Sequence, residues 1–155
     1  LHGTSHIWLV RRKQHGFDVL LQKRSKEKDA FPGCYDVSSA GHMAVGDDSL
    51  HTAVRELSEE LGVTAEPEDF KFIGMRDSVV KDTFHGKPFH NHELSAVYVY
   101  ETDLSEEKFR LQKEEVDSVL WMDFREFEEK ARNGGIRHCI FADEIKMLGE
   151  FMGCK

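Results

Sequence analysis

Apolar and polar residues alternate along this chain in short blocks, and the period of each block predicts an element. Residues 6–10 (HIWLV) and 17–22 (FDVLLQ) are apolar runs of strand length. The polar, glycine-containing RRKQHG between them predicts a hairpin. Residues 23–29 (KRSKEKD) form a charged loop, Phe31-Pro32-Gly33 signals a turn, and residues 35–39 (YDVSS) suit a further strand. The strongest pattern spans residues 48–61. Leu50, Ala53, Val54, Leu57 and Leu61 stand at offsets 0, 3, 4, 7 and 11, one apolar stripe of an amphipathic helix. Asp47, Asp48 or Ser49 can cap its start, and Gly62 falls where a left-handed residue ends a helix. Residues 70–75, 93–102 and 118–122 read as strands; residues 124–133 and 142–152 read as helices, the former closed by Gly134-Gly135. Residues 79–91 (VVKDTFHGKPFHN) are polar and basic, contain Gly and Pro, and read as a loop able to choose a substrate. Strands and helices therefore mix behind an opening hairpin, which predicts an α/β or α+β sandwich.

Composition narrows the class. At 155 residues one domain over residues 1–155 is expected, burying roughly 70% of the unfolded surface. A hydrophobic fraction of 39% with eleven Phe supports a packed core. Lys and Arg number 21 against 29 Asp and Glu, a net charge of −8. That balance argues against a nucleic-acid polymer as partner. It leaves room for a small anion, because a metal can invert the local sign. Cys34, Cys139 and Cys154 are widely spaced with no CxxC, so reduced thiols and a cytoplasmic location are expected. No apolar run approaches the ~20 residues that span a bilayer, so no membrane partner is expected. Most aromatics, among them Trp8, Phe31, Tyr35, Phe84 and Phe89, are expected in the core rather than stacked on a ligand.

The helix at 48–61 has a second face that composition does not explain. Glu56, Glu59 and Glu60 stand at i, i+3 and i+4 and project to one side, where like charges repel. Such a face is either solvated or holds a cation, and carboxylate oxygens favour hard ions such as Mg2+ or Mn2+. Its flanks decide between these. From Gly41 the chain runs five residues to Asp47, seven more, then Arg55-Glu56-Leu57-Ser58-Glu59-Glu60-Leu61-Gly62-Val63. This resembles the Nudix box, and each fixed position matches except Asp47, where the family has Glu. The resemblance implies an α/β/α sandwich around a mixed sheet. It also implies a pyrophosphohydrolase, dependent on Mg2+ or Mn2+, that cleaves a diphosphate linked to a nucleoside or another small organic group, X. By the same resemblance Glu56, Glu59, Glu60 and the Gly41 backbone would hold metal, Arg55 would orient a carboxylate, and Glu59 is the first choice as base. Glu93, and Glu115 or its neighbour Glu114, are candidates for a further base or ligand.

Four further segments resemble the isopentenyl-diphosphate isomerase branch of the same superfamily: Leu1-His2, residues 20–36 (LLQKRSKEKDAFPGCYD), Gly41-His42, and residues 90–93 (HNHE). That likeness implies that Arg24 and one of Lys26 or Lys28 grip a diphosphate. It matches His2, His42 and Glu93 to metal ligands, with Asn91 where a second acidic ligand stands; His42 is also a substrate-binding candidate. The departure lies at Ala40, which occupies the position of the isomerase's catalytic Cys. Moving a double bond needs an acid and a base on opposite sides of a carbon, and Ala40 supplies neither. Hydrolysis is thus favoured over two rivals, an isomerase and a non-catalytic Nudix ligand-binding module. The identity of X and pairing into a homodimer are left open.

Overall fold

Alternation along the first strand sets the layers. A computed structural model describes residues 2–28, 30–84 and 87–153, with their side chains except at residue 2 and residues 79–91. Strand β1 (His2–Arg12) is buried on both faces. Ile7 and Leu9 enter one core, with Ala53, Leu57 and Leu61 of helix α1 (Ser49–Leu61). Trp8 and Val10 enter the other, with Phe124 and Phe127 of α2 (Phe124–Asn133) and Ile145 and Leu148 of α3 (Ala142–Phe151). A period of two sends successive side chains to opposite faces, so one strand serves both layers.

Among the described residues the sheet has seven strands, completed by β2 (Phe17–Arg24), β3 (Tyr35–Asp36), β4 (Ser39–His42), β5 (Phe70–Phe84), β6 (Lys87–Glu101) and β7 (Val116–Asp123). The path β3-β2-β1-β6-β5 is mixed, since β1 and β6 run parallel and the other pairs antiparallel. The expected α/β/α sandwich around a mixed sheet is therefore what forms. One feature of β1 positions the site. Its residues 10–12 pair with β2, whereas residues 4–7 pair with β4, so the sheet forks along one strand. Ser38 fills the notch: Leu9 N–H donates to its Oγ at 2.8 Å, and that hydroxyl donates to Leu20 O at 2.6 Å. Among the described residues no helix is long and apolar enough to cross a membrane.

Several local expectations shift. Helix α1 begins at Ser49, because Asp48 is its cap, accepting from His51 N–H at 2.8 Å; neither Asp47 nor Ser49 takes that role. Gly62 closes it at φ 71°, as the pattern predicts. The strand expected over 35–39 breaks into β3 and β4, because Val37 and Ser38 turn inward at the fork. The loop expected over 79–91 gives way to strand at its described residues. Residues 79–84 and 87–91 extend β5 and β6, paired from Val79 with His92 to Phe84 with Lys87. Val79, Val80, Thr83 and Phe84 favour strand, and Pro88 is tolerated because β6 there lies beyond the end of β1. The side chains of His2, Phe84, Phe89 and Asn91, and the whole of Cys154, lie outside the described residues.

Candidate active site

The carboxylate face of α1 meets the forked sheet. Glu60 is buried and takes three donors: Ser39 Oγ at 2.7 Å, Ala40 N–H at 3.1 Å and Gln22 Nε2 at 3.4 Å. Burial pushes its carboxyl up to about 7, against the pull of these hydrogen bonds. Glu56 is half-buried and also raised; burial leads, Arg55 opposes it, and Glu59 and Glu115 add to it. Glu59 keeps 49% of its side chain exposed. Arg55 stands beside both neighbours, with Nη1 3.2 Å from Glu56 Oε1 and 3.9 Å from Glu59 Oε2. Its other amino group donates to the His42 carbonyl at 3.4 Å, tying the helix to the end of β4.

Gly41 fits this packing for a steric reason. A Cβ built there would overlap the Glu56 carboxylate, so only glycine lets the β4 backbone lie against it. Next in the chain, His42 Nε2 lies 3.4 Å from Glu93 Oε1 of β6, whose carboxylate raises the ring's pKa above its ordinary value.

Two loops close the space. Arg24, at the end of β2, donates from Nε to Ala30 O at 3.1 Å and from Nη1 to Asp36 Oδ2 at 3.1 Å. The segment before β7 hangs on the end of α1, through Arg110 N–H to Leu61 O and Gln112 N–H to Glu60 O, both 3.0 Å. It delivers Glu115, which pairs with Lys28 of the β2–β3 loop. The result is a cavity of about 570 Å³ onto which Arg24, Lys28, Gly41, His42, Glu56, Glu59, Glu60, Glu93 and Glu115 all open. Lys26, Arg55, Asp47 and Glu114 are outside its lining; Arg55 acts on it through the two glutamates it touches. Trp8 is fully buried core, whereas Phe31 lines the cavity at φ 50°, a left-handed conformation unusual for a bulky side chain.

The same cavity takes residues that the sequence pattern did not single out: His6, Gln22, Asp36 and Glu144. Glu144 sits in the first turn of α3, where an acidic residue reads as a helix-end charge. His6 sits in an apolar strand run, and the alternation that puts it on Trp8's face is its one signal. Both reach Glu144: His6 Nδ1 at 3.0 Å and Trp8 Nε1 at 2.9 Å.

The donor set suits a hard divalent cation, being three carboxylates with a glycine backbone pressed against one of them. Among the described residues no three such side chains already converge as a cation cage. The reason is visible in the contacts, since Glu60 turns to Ser39 and Ala40 while Glu56 turns to Arg55.

Comparison with known proteins identifies the family and the fold. The NUDIX domain family matches residues 1–141. The chain is 37% identical over 131 residues to an uncharacterized Nudix hydrolase of Clostridium acetobutylicum, covering 84% of this chain and 60% of that protein. It is 41% identical over 131 residues to Nudix hydrolase 3 of Arabidopsis thaliana, covering 81% of this chain and 16% of that protein. The chain thus spans less than two thirds of the length of both, and about a sixth of the second. It is also 29% identical over 120 residues to an isopentenyl-diphosphate Delta-isomerase of Cutibacterium acnes, covering 76% of this chain and 59% of that protein. The crystal structure of a NUDIX hydrolase from Alicyclobacillus acidocaldarius shares the fold, with a TM-score of 0.71 at 17% identity, over 99% of this chain and 92% of that one. With its box on α1 and its sandwich around the forked sheet, the chain belongs to the Nudix family.

Proposed function

We propose that residues 1–155 are a single Nudix domain that hydrolyses a diphosphate linkage between a nucleoside, or a related small organic group, and a second group X. The observation that carries this is the meeting of Glu56, Glu59 and Glu60 with Arg24 and Lys28 around one cavity. Acids alone would repel a diphosphate, and basic groups alone would bind it without activating water. Glu56, Glu59, Glu60 and the Gly41 backbone would hold Mg2+ or Mn2+. Such an ion, when bound, would offset the negative charge on the non-bridging phosphate oxygens and make water more acidic.

The remaining work falls to the chain itself. Arg24 and Lys28 grip phosphate oxygens, each held in place by an acid partner, Asp36 or Glu115. Arg55 fixes the directions of Glu56 and Glu59. Glu59, the more open of that pair, takes a proton from the attacking water. The water oxygen bonds to phosphorus, the bridging P–O bond breaks with its electron pair going to the departing phosphate, and the proton held by Glu59 passes to solvent. Glu93 holds His42 at the cavity edge, and Glu115 is a second acid that can share a cation. Cys34 and Cys139 are free thiols, consistent with the reducing cytoplasm as the site of action.

The test is kinetic. Glu59→Gln and Glu60→Gln should each lower kcat at least ~100-fold with the fold retained by circular dichroism. Wild-type rates in both variants on a verified substrate would defeat the assignment. Isomerisation is the less favoured reading, because Ala40 carries no acid or base where that chemistry needs one.

A further inference from the structure

We propose that His6, clamped by Glu144, donates a hydrogen bond into the cavity to an uncharged acceptor oxygen of group X, a hydroxyl or carbonyl, and so helps select the substrate. This rests on the hydrolase reading above and assigns the part of the cavity that the carboxylate face leaves unexplained. His6 Nδ1 faces both oxygens of Glu144, at 3.0 and 3.1 Å. Trp8 Nε1 binds the same carboxylate at 2.9 Å, and Arg76 Nη1 lies 3.8 Å from it, so Glu144 and with it the ring are fixed in orientation. The second ring nitrogen, Nε2, has no hydrogen-bond partner among the described residues. It is not sealed either, since Arg76 Nη1 is the one buried and unpartnered polar atom among those residues. His6 lines the cavity, which is the open space Nε2 can reach. Across the ladders its register partners are Ala40 of β4 and Val97 of β6, and the small Ala40 stands on the side that also lines the cavity.

The charges say what this nitrogen binds. Burial opposes protonation of His6, but Glu144, Asp36 and Glu93 outweigh it and raise the ring to about 9. The ring is therefore an imidazolium near neutral pH, and Nε2 can only donate. Around the ring stand two cations, His6 and Arg76, against the acids Asp143 and Glu144, with Asp36 and Glu93 also acting on it. It offers a directed donor with no net positive charge around it, which suits a hydroxyl or carbonyl better than another phosphate.

The test uses ADP-ribose, UDP-glucose, NADH and diadenosine tetraphosphate as substrates with Mg2+, taking the one that wild type cleaves fastest. His6→Asn keeps an amide where Nδ1 meets Glu144 and loses the cavity donor; His6→Gln restores a donor near Nε2. The Asn variant should raise KM at least ~10-fold with kcat within about threefold, and Gln should recover most of the loss. Competitive inhibition by methylenebisphosphonate, which has no group X, should be unchanged in His6→Asn. In wild type the His6 Nε2 signal, followed by 15N NMR, should shift on saturation with a methylene-bridged analogue of that substrate. An unchanged KM in His6→Asn, an unmoved Nε2 signal, or bisphosphonate inhibition weakened as much as KM would overturn the proposal. Failure of wild type to cleave any of the four would defeat the hydrolase reading itself, and this inference with it.

Discussion

Single atoms decide whether this site works. Gly41 is the clearest case, because the Glu56 carboxylate occupies the volume a side chain would need. Gly41→Ala should turn that carboxylate away and lower kcat/KM by roughly 100-fold, the scale of an ångström-sized misplacement. Calorimetric titration with Mg2+ should show weaker binding in the same variant. His6 yields a separate prediction about stability. Burial lowers its pKa, but Glu144, Asp36 and Glu93 outweigh that and raise it in the folded state from 6.5 to about 9. A raised histidine contributes fully below its unfolded pKa and loses that contribution as pH rises through the folded one. Stability from urea melts should therefore fall by up to roughly 3 kcal/mol between about pH 6.5 and 9. Glu144→Gln should flatten that decline, and a decline of the same size in the variant would exclude the pair as its source.

Elements carry these residues to one place, and their ends matter as much as their faces. Gly62 ends α1 at φ 71°, and a Cβ there would sit 2.7 Å from Arg110 Cβ and 3.1 Å from Arg110 O. Gly62→Ala combines left-handed strain with that clash and should cost at least about 2 kcal/mol by urea unfolding. Because Arg110 and Gln112 bind the end of α1, the same change should displace Glu115 and lower turnover. Helix α1 was legible in advance because its apolar stripe and its glutamate face follow the same 3.6-residue period. The paired strand extensions over 79–84 and 87–91 were not, because Gly and Pro read locally as loop signals while the pairing that overrides them comes from the opposite strand. The break at Val37 and Ser38 was hidden likewise, since it exists to fill a fork made by β1, β2 and β4 together. The pairing of His6 with Glu144 spans 138 residues, and no local pattern announces a contact of that range.

At the scale of the whole molecule the charge of −8 acquires a location. Some of its acids gather on one cavity, interleaved with Arg24, Lys28 and His6, and a cation added there would turn an acidic cleft into a site for a diphosphate. The forked sheet makes this possible, since it opens a space reached from α1 on one side and α3 on the other. If a diphosphate is hydrolysed at that cavity, an oxygen of water must end in a phosphate product. Wild type would be incubated with Mg2+ and the panel of nucleoside-diphosphate compounds, with isopentenyl diphosphate alongside, in 18O-labelled water, and the products weighed by mass spectrometry. The predicted result is cleavage of a diphosphate compound, with one 18O in a phosphate product, abolished by EDTA and reduced at least ~100-fold in Glu59→Gln. Binding of these compounds without cleavage, or isopentenyl diphosphate converted to its isomer with the diphosphate intact, would contradict it.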